Sequence, residues 1–391
     1  MVALGTTADG VRLMSAGIPV MKPWFDDAEV EAAAAAIRSG WVAQGPRVAE
    51  FEEGFARSVG AEAGVAVTSC TAGLHLAMYA LGLEAGDEVI VPSLSFIATA
   101  NAVRYVGAIP VFADVDLTTQ NVTAESIAQV VTERTKAVMV VHQVGMPADL
   151  DPIHDLCDTR GLMLVEDAAC AAGSTYRGSP IGGGPSTAVF SFHPRKLLTT
   201  GEGGMITTQS PDQASRFRRL REHGMSVDTF ARHTTKDVVI EQYLETGFNF
   251  RMTDVQAAIG LVQLGKLDEM IARRRALADE YKDALDGVPG LVLPGDPPYG
   301  TTNYQSFSVV LTADYSTERI DLMSALQAEG ISSRRGVMAI HREPAYEGHP
   351  SQPLPNTDYL TDRSIILPLY HQMTHEDIER VASIVRTGAA A

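Results

Sequence analysis

Short apolar runs alternate with helix-forming stretches along the first half of the chain, and this alternation constrains the fold more than any other feature. The strand candidates are residues 65–67, 88–91, 110–112, 137–141, 162–165, 188–192 and 205–208. Helix-forming stretches such as 71–83 and 98–106 separate them. Strands that are joined by helices tend to pair in parallel and to be covered by helices. The sequence therefore predicts an α/β fold with a mostly parallel central sheet.

The pattern changes after about residue 250. Residues 253–285 predict one continuous amphipathic helix, with Arg273, Arg274 and Arg275 in a solvated band. A Gly- and Pro-rich connection follows, and after it come a strand candidate and a helix-forming stretch, 306–311 and 316–329. We therefore predict an N-terminal segment, 1–25, a large domain, 26–266, and a smaller C-terminal α+β domain, 267–391.

Composition and charge narrow the class of function. The 391 residues carry a formal net charge of −17, which disfavours a surface for nucleic acid or for anionic membranes. No apolar stretch reaches the roughly 18 residues that a membrane span needs, and the N-terminus resembles neither a secretory signal nor a transit peptide. Cys70, Cys157 and Cys170 are spaced too widely for a disulfide framework or a zinc site. We therefore expect a cytoplasmic protein without a metal centre.

Lys196 and Asp167 are the residues most indicative of chemistry. Lys196 lies between an apolar strand candidate, 188–192, and a glycine-rich turn, and Asp167 comes at the end of another strand candidate. A lysine that forms a Schiff base needs a sheltered site, and a carboxylate that pairs with a pyridinium nitrogen needs to be buried and charged. A surface lysine and a helix-capping aspartate are the alternative interpretations. Together the two residues indicate a pyridoxal phosphate site.

Two further features fit such a site. Thr71 and Ala72 open a helix-forming stretch directly after a strand candidate, where free N–H groups and the helix dipole can bind a phosphate. A plain helix cap would give the same pattern. Phe96 follows the strand candidate 88–91, where its ring either stacks on a cofactor or lies in the core.

Four motifs occur in order along the chain: TAGLHLAMYALGL, LVEDAACAAGSTYRG, FSFHPRKLLTTGEGGM and GFNFRMTDVQAAIGL. Together they resemble the DegT/DnrJ/StrS family of pyridoxal phosphate-dependent sugar aminotransferases, and the similarity extends from about residue 19 to residue 371. The resemblance implies the aspartate-aminotransferase-like fold, fold type I, with pyridoxal phosphate as the cofactor. It also implies a homodimer whose active sites are shared between the two subunits.

The resemblance gives roles to individual residues. Lys196 would hold the cofactor as a Schiff base and move the proton at the reacting carbon. Asp167 would keep the ring nitrogen protonated, and Phe96 would stack on the ring. The residues implied at the cofactor phosphate are Thr71, Ala72, Ser191 and, reaching across from the other subunit, Asn249.

One position departs from the family pattern. Many members have a glutamine in contact with the ring hydroxyl of the cofactor, whereas this chain has Cys170. A thiol is a weak donor and acceptor, so water or another side chain is expected to provide that contact. The residues expected to contact substrate are His193, Arg219 and His341, and Arg195, Arg221, Arg334 and Arg335 are further candidates at an anionic group. The alternative interpretations are that His193 and Arg195 only satisfy neighbouring groups and that the other arginines belong to a solvated face.

The sequence predicts a transamination in two stages. By analogy with the family, L-glutamate donates the amino group and a keto-sugar linked to a nucleotide accepts it. A free keto-cyclitol is the alternative acceptor, because the motifs do not distinguish the two. A non-catalytic protein that keeps the fold is a third reading, which the presence of Lys196 and Asp167 disfavours.

Overall fold

The computed structural model describes residues 17–227 and 240–390, so most of the predicted N-terminal segment lies outside it. The strands, in chain order, are β1 (Ala63–Val67), β2 (Glu88–Pro92), β3 (Ile109–Ala113), β4 (Thr135–Val141), β5 (Met163–Asp167), β6 (Thr175–Tyr176), β7 (Ser179–Pro180), β8 (Thr187–Ser191), β9 (Gly204–Thr208), β10 (Leu291–Val292), β11 (Gly300–Thr301), β12 (Phe307–Leu311), β13 (Arg334–Arg335) and β14 (Ser364–Leu367). The helices are α1 (Asp27–Arg38), α2 (Pro46–Val59), α3 (Cys70–Ala80), α4 (Ala98–Tyr105), α5 (Ala124–Ala128), α6 (Leu150–Arg160), α7 (Pro211–Leu220), α8 (Asp254–Gly265), α9 (Leu267–Leu285), α10 (Arg319–Ala328), α11 (Pro355–Arg363) and α12 (His375–Ala390). No helix in the two described ranges is long and apolar enough to cross a membrane.

The central sheet has the strand order β1-β9-β8-β5-β4-β2-β3. β9 is antiparallel to both of its neighbours, and the pairs from β8 through β5, β4 and β2 to β3 are parallel. The prediction of a mostly parallel α/β sheet is confirmed. Because β2, β5 and β8 run in the same direction, their carboxyl ends lie along one edge of the sheet, where α/β folds place their ligand sites.

Helices cover both faces of the central sheet. Phe190 of β8 faces one side, where its ring lies 4.9 Å from that of Phe55 in α2. The next residue back, Val189, faces the other side and joins the cluster that contains Leu74 of α3. Side chains alternate along a strand, so a strand that is buried on both faces is apolar throughout. That double burial explains the short continuous apolar runs in the sequence.

A second sheet, antiparallel and in the order β10-β12-β14-β13, forms the core of the C-terminal part. Tyr281 of α9 stacks there on Phe307 of β12, with ring centroids 4.8 Å apart. Ile18 pairs with Ile331 and attaches the N-terminal residues to this part. The smaller α+β domain is therefore confirmed as part of the fold. β11 nevertheless returns to pair with β6 of the large domain, and the boundaries 26–266 and 267–391 stay predictions.

Residues 253–285 form two helices, α8 and α9, instead of the one continuous helix that their periodicity predicts. Lys266 lies between them and ends the first helix. Its ammonium donates to both carboxylate oxygens of Glu29, at 2.8 and 2.9 Å. This tertiary ion pair lies at the break between α8 and α9, and helical periodicity in the sequence cannot predict it.

Arg274 does not lie in a solvated band, which corrects the expectation for the three consecutive arginines. Its side chain is buried, and its guanidinium donates to the carbonyl oxygens of Tyr304 and Gln305 at 2.9 and 3.3 Å. Burial lowers the pKa of Arg274 to about 9. The residue therefore ties α9 to the chain segment that leads into β12.

Candidate active site

Lys196 lies on the loop between β8 and β9, at the carboxyl edge of the central sheet. Its Nζ donates a hydrogen bond of 3.1 Å to Sγ of Cys170. The backbone N–H of Lys196 donates to the carbonyl oxygen of His193 at 2.8 Å, and that of Leu197 donates to Oε1 of Gln305 at 3.1 Å. The loop is therefore fixed by backbone contacts on both sides of the lysine.

The pKa of the Lys196 amine reflects two opposing effects. Burial lowers this pKa, whereas the acidic groups of Cys170, Cys70 and Asp167 raise it, and the result lies above the usual 10.5. The acidic groups around Nζ therefore favour a cationic nitrogen at this position.

Asp167 ends β5 and is buried. Thr99 donates its hydroxyl to Oδ2 at 2.8 Å, and the N–H of Ala169 donates to Oδ1 at 3.1 Å. Burial raises the pKa of Asp167 above the usual 3.8, and these two hydrogen bonds only partly offset the rise. The nearby charges of Lys196 and His142 lower this pKa to a smaller extent. A buried carboxylate of this kind is suited to a cationic ligand nitrogen.

The first turn of α3 lies beside the same edge of the sheet. Ser69 caps the helix, since its hydroxyl accepts from the N–H of Ala72 at 3.1 Å. Gly204 of β9 packs against this turn so closely that a Cβ there would lie 2.7 Å from the backbone nitrogen of Cys70. Thr71 is in the first turn, and the early N–H groups of a helix have no partner within the helix. This turn can therefore accept a phosphate group.

Phe96 is 65% exposed, so the alternative that it is a core residue is wrong. It lies in the loop between β2 and α4 and lines a cleft of about 620 Å³. Lys196 and Cys170 line the same cleft, and so do residues 333–338 of the C-terminal part. An exposed aromatic ring beside the lysine is available to stack on a flat ligand.

Three other predicted residues, Ser191, His193 and His341, do not line this cleft in the described ranges. Ser191 is buried at the end of β8, and its Oγ accepts from the N–H of His193 at 3.4 Å. His193 is half-buried, with Nε2 at 3.9 Å from Oε1 of Glu202. His341 bonds through Nδ1 to Oγ of Ser93 at 2.7 Å. None of these three predicted residues lines the cleft within the part of the chain that the structure describes.

Arg219 and Arg221 do not line the cleft, and both are engaged by other residues of the chain. Arg219 donates to Oε1 of Glu245 at 2.6 and 2.8 Å. Arg221 is buried, where it pairs with Glu52 and donates to the carbonyl oxygen of Ala66 at 2.6 Å. Their charges are therefore neutralised inside this subunit, and neither residue is positioned to meet a ligand beside Lys196.

Two contributing residues were missed by the sequence analysis. Thr99 holds Asp167, and Gln305 holds the lysine loop through Leu197 and through the carbonyl oxygen of Arg195, the latter at 2.6 Å. Thr99 is one turn beyond Phe96 at the start of α4, a position that suggests a helix cap or a surface hydroxyl. Gln305 is 109 residues beyond Lys196 in the chain, so no local pattern links the two.

The groups that these residues bring together fit pyridoxal phosphate. It contains an amine at Lys196, a buried carboxylate at Asp167, an exposed ring at Phe96 and the first turn of α3. Lys196 would bond to the aldehyde carbon and Asp167 would accept the ring N–H, while the turn at Thr71 would hold the phosphate. Cys170 already contacts the lysine nitrogen at 3.1 Å, so its thiol would lie beside the bond that Lys196 forms with the cofactor.

Comparison with known proteins identifies the same chemistry. Residues 23–386 match the DegT/DnrJ/EryC1/StrS aminotransferase family. The solved structure of the aminotransferase TlmJ from Streptoalloteichus hindustanus is 38% identical, with a TM-score of 0.87, covering 95% of this chain and 99% of that one. DesI, solved in the presence of its TDP-sugar product, is 34% identical, with a TM-score of 0.85 and coverage of 95% and 93%.

A more distant structure bears on the cofactor. Spr1654 from Streptococcus pneumoniae, solved in its PMP form, is 26% identical, with a TM-score of 0.90, covering 95% of this chain and 99% of that one. The similarity extends over the central sheet, the lysine loop and the C-terminal domain. The chain belongs to the DegT/DnrJ/EryC1/StrS family of pyridoxal phosphate-dependent sugar aminotransferases.

Proposed function

We propose that this enzyme moves an amino group from L-glutamate to the keto group of a nucleotide-linked sugar, in two half-reactions at one site. The observation that carries the proposal is the position of Lys196, whose Nζ lies beside Cys170 in a cleft open to the C-terminal domain. Both substrates must bring their reacting carbon to this nitrogen, one after the other. A ping-pong order follows from that shared position.

Pyridoxal phosphate, when bound, supplies an electron sink for the carbon that gains or loses the amino group. Lys196 is the residue of this chain that would transfer the proton: its Nζ would take the proton from the substrate carbon and deliver it to the C4′ carbon of the cofactor, and would move it in the opposite direction in the second half-reaction. The hydrogen bond from Nζ to Cys170 and the fixed backbone of the loop restrict where that nitrogen can move. A base that is held in one position reaches the reacting carbon from one face only, which orients the proton transfer.

Asp167 holds a proton at the ring nitrogen. Its carboxylate is buried and oriented by Thr99 and by the N–H of Ala169. These two donors favour the ionised form and partly offset the rise in the pKa of Asp167 that burial causes. A charged Asp167 then keeps the ring N–H in place throughout both half-reactions.

The charges of the cleft favour a nucleotide-linked acceptor over a free cyclitol. The charged residues that line the described cleft are all basic. A free keto-cyclitol is neutral and gains little from such a lining, whereas a nucleotide diphosphate gains charge-assisted hydrogen bonds. The TDP-sugar product of the related DesI supports the same choice.

A homodimer with shared sites and a cytoplasmic location complete the proposal. Asn249 is exposed in the single chain, and the nearby side chains of Ile240, Tyr243 and Leu244 are 85%, 64% and 58% exposed. Large exposed apolar side chains around an exposed polar residue are typical of an interface. The three cysteines carry free thiols, which fits a reducing compartment.

The decisive experiment is a substrate screen. The purified enzyme is loaded with cofactor and treated with L-glutamate, and the loss of its visible absorbance reports the first half-reaction. Nucleotide-linked 3-keto and 4-keto sugars and free keto-cyclitols are then offered in parallel, and the aminated products are identified by mass spectrometry. We expect turnover with at least one nucleotide-linked sugar. Turnover confined to keto-cyclitols would replace the proposed acceptor, and an enzyme that never responds to L-glutamate would remove the proposed donor.

A further inference from the structure

The charged residues that line the described cleft beside Lys196 are basic, although the chain as a whole is acidic. The whole sequence contains 48 acidic and 31 basic residues. The charged residues among the described lining are nevertheless Arg195, Lys196, Arg334 and Arg335, without a carboxylate. Such a concentration of positive charge in a concave site attracts and orients anions.

Only two of these four cations are free to bind an anion. The Lys196 amine is directed to Cys170 and serves the chemistry. The guanidinium of Arg335 lies 3.2 Å from a carboxylate oxygen of Glu343. Arg195 and Arg334 form no ion pair with a carboxylate in the described ranges. Burial and, next, the positive charge of Arg195 lower the pKa of Arg334, so the two guanidinium groups interact through like charges that an anion between them would relieve.

The two arginines line the same cleft but come from different parts of the fold. Arg195 precedes the lysine on the loop after β8, where its N–H donates to Nδ1 of His193 and its carbonyl oxygen accepts from Gln305. Arg334 belongs to β13, where it pairs with Ile366 of β14. Both backbones are fixed and both side chains are exposed at the cleft. An anion held by both would connect the large domain to the C-terminal sheet.

We propose that Arg195 and Arg334 form a single anion site that binds a carboxylate of the amino donor in one half-reaction and a phosphate of the acceptor's nucleotide in the other. The inference rests on the proposed function, because that function requires two anionic substrates to use one cleft in turn. A guanidinium binds carboxylate and phosphate with the same paired hydrogen bonds. Since the remaining cations of the described lining are already engaged, each substrate meets the same pair.

The test is equilibrium binding, which needs no turnover. Glutarate, a dicarboxylate that cannot donate an amino group, and inorganic pyrophosphate are titrated by calorimetry into the cofactor-loaded enzyme. Arg195→Gln and Arg334→Gln should each weaken both probes by about tenfold to a hundredfold, the usual loss for one charge-assisted hydrogen-bonding partner. Glutarate should also be displaced by pyrophosphate. Arg335→Gln removes the same charge from the same strand and should leave both affinities within about threefold of the parent.

Two results would overturn the shared site. One is a probe that binds Arg195→Gln or Arg334→Gln as tightly as the parent, because that substrate would then use other residues. The other is simultaneous binding of glutarate and pyrophosphate. The substrate screen remains independent of these results: an enzyme without keto-sugar turnover that still shows mutually exclusive, arginine-dependent binding keeps the anion site and loses the proposed acceptor.

Discussion

The hydroxyl of Thr99 donates a 2.8 Å hydrogen bond to Oδ2 of Asp167, and both side chains are buried. Ser95 lies 2.7 Å from the same Thr99 oxygen. Because the Thr99 proton is directed to Asp167, Ser95 is the donor in that second contact. A short chain of hydroxyl groups therefore orients the carboxylate that is assigned to the ring nitrogen, and it stabilises the ionised form.

Thr99→Val should slow catalysis and shift its pH dependence. The substitution keeps the shape of the side chain but removes a donor to the ionised carboxylate, so the pKa of Asp167, already raised by burial, should rise further. Because the proposed role of Asp167 requires its ionised form, the acid limb of the kcat profile should move to higher pH. We expect kcat to fall about tenfold at neutral pH, the effect of one hydrogen bond to a charged group.

Thr99→Ser is the matched control for that substitution, because it keeps the hydroxyl. Its pH profile and its kcat should stay close to those of the parent. The pH titration of the visible absorbance of the bound cofactor gives a second measurement, independent of turnover. A Val variant with the parent's acid limb and absorbance titration would show that Thr99 supports only packing.

Complementation between two inactive variants should reveal whether the sites are shared. Lys196→Ala removes the amine, and Asn249→Ala removes the side chain assigned to the neighbouring subunit's cofactor phosphate. In a mixed dimer, one site carries both defects and the other carries neither. Co-expression of the two variants with different tags should therefore give dimers with about one intact site, measured as recovered turnover after tandem purification.

The control for this experiment pairs two differently tagged Lys196→Ala chains, which should stay inactive. If the mixed dimer of the two variants has no more activity than the Asn249→Ala homodimer, Asn249 does not serve the neighbouring site. A monomer with full activity in the parent would contradict the shared site directly.

The sequence predicted the features that depend on residues close together in the chain. The strands of the central sheet and the positions of Lys196 and Asp167 follow from apolar runs and from what comes directly after them. Arg274 was misplaced because its hydrogen-bond acceptors are backbone carbonyl oxygens of the segment before β12, which periodicity cannot locate. Thr99 was missed for the same reason: its importance comes from a partner 68 residues away.

The arginines show which property of the site the sequence could not predict. Arg219, Arg221 and Arg334 look alike in the sequence, because each lies within two residues of another arginine. Carboxylates brought by distant segments, Glu245 and Glu52, neutralise the first two, while no such partner reaches Arg334 in the described ranges. Which cations remain free for a ligand is therefore decided by the tertiary fold.

Gly204→Ala should weaken cofactor binding by disturbing the first turn of α3. The added Cβ would lie 2.7 Å from the backbone nitrogen of Cys70 and 2.7 Å from the carbonyl carbon of Ser69. Backbone atoms cannot rotate away as a side chain can, so β9 and the helix must separate. We expect about tenfold weaker binding of pyridoxal phosphate, measured by absorbance titration of the apoenzyme. Gly265→Ala is the control, since nothing lies within 4 Å of its Cβ position, and unchanged affinity in Gly204→Ala would place the phosphate elsewhere.

Glu29 should make stability depend on pH. Burial alone raises the pKa of Glu29, but hydrogen bonds from the backbone N–H of Asp26, from Lys266 and from Gln263 lower it below the usual 4.5. A carboxyl group whose pKa is lower in the folded state stabilises that state above the unfolded pKa, and the contribution is lost as pH falls through the folded pKa. Glu29→Gln should therefore reduce the free energy of unfolding by about 2 kcal/mol at neutral pH, measured by urea denaturation.

The same variant should lose its disadvantage in acid. At pH values below the lowered pKa of Glu29 in the folded state, which is itself below the usual 4.5, Glu29 is protonated. Parent and variant then carry the same charge, and their unfolding free energies should converge. Glu31→Gln is the matched control on the same helix, because its side chain is 72% exposed and lies 3.6 Å from Arg38. An exposed pair of this kind contributes little, so this control should resemble the parent at both pH values. A difference between Glu29→Gln and the parent that persists unchanged into acid would mean that shape, and not charge, gives Glu29 its role between α1 and Lys266.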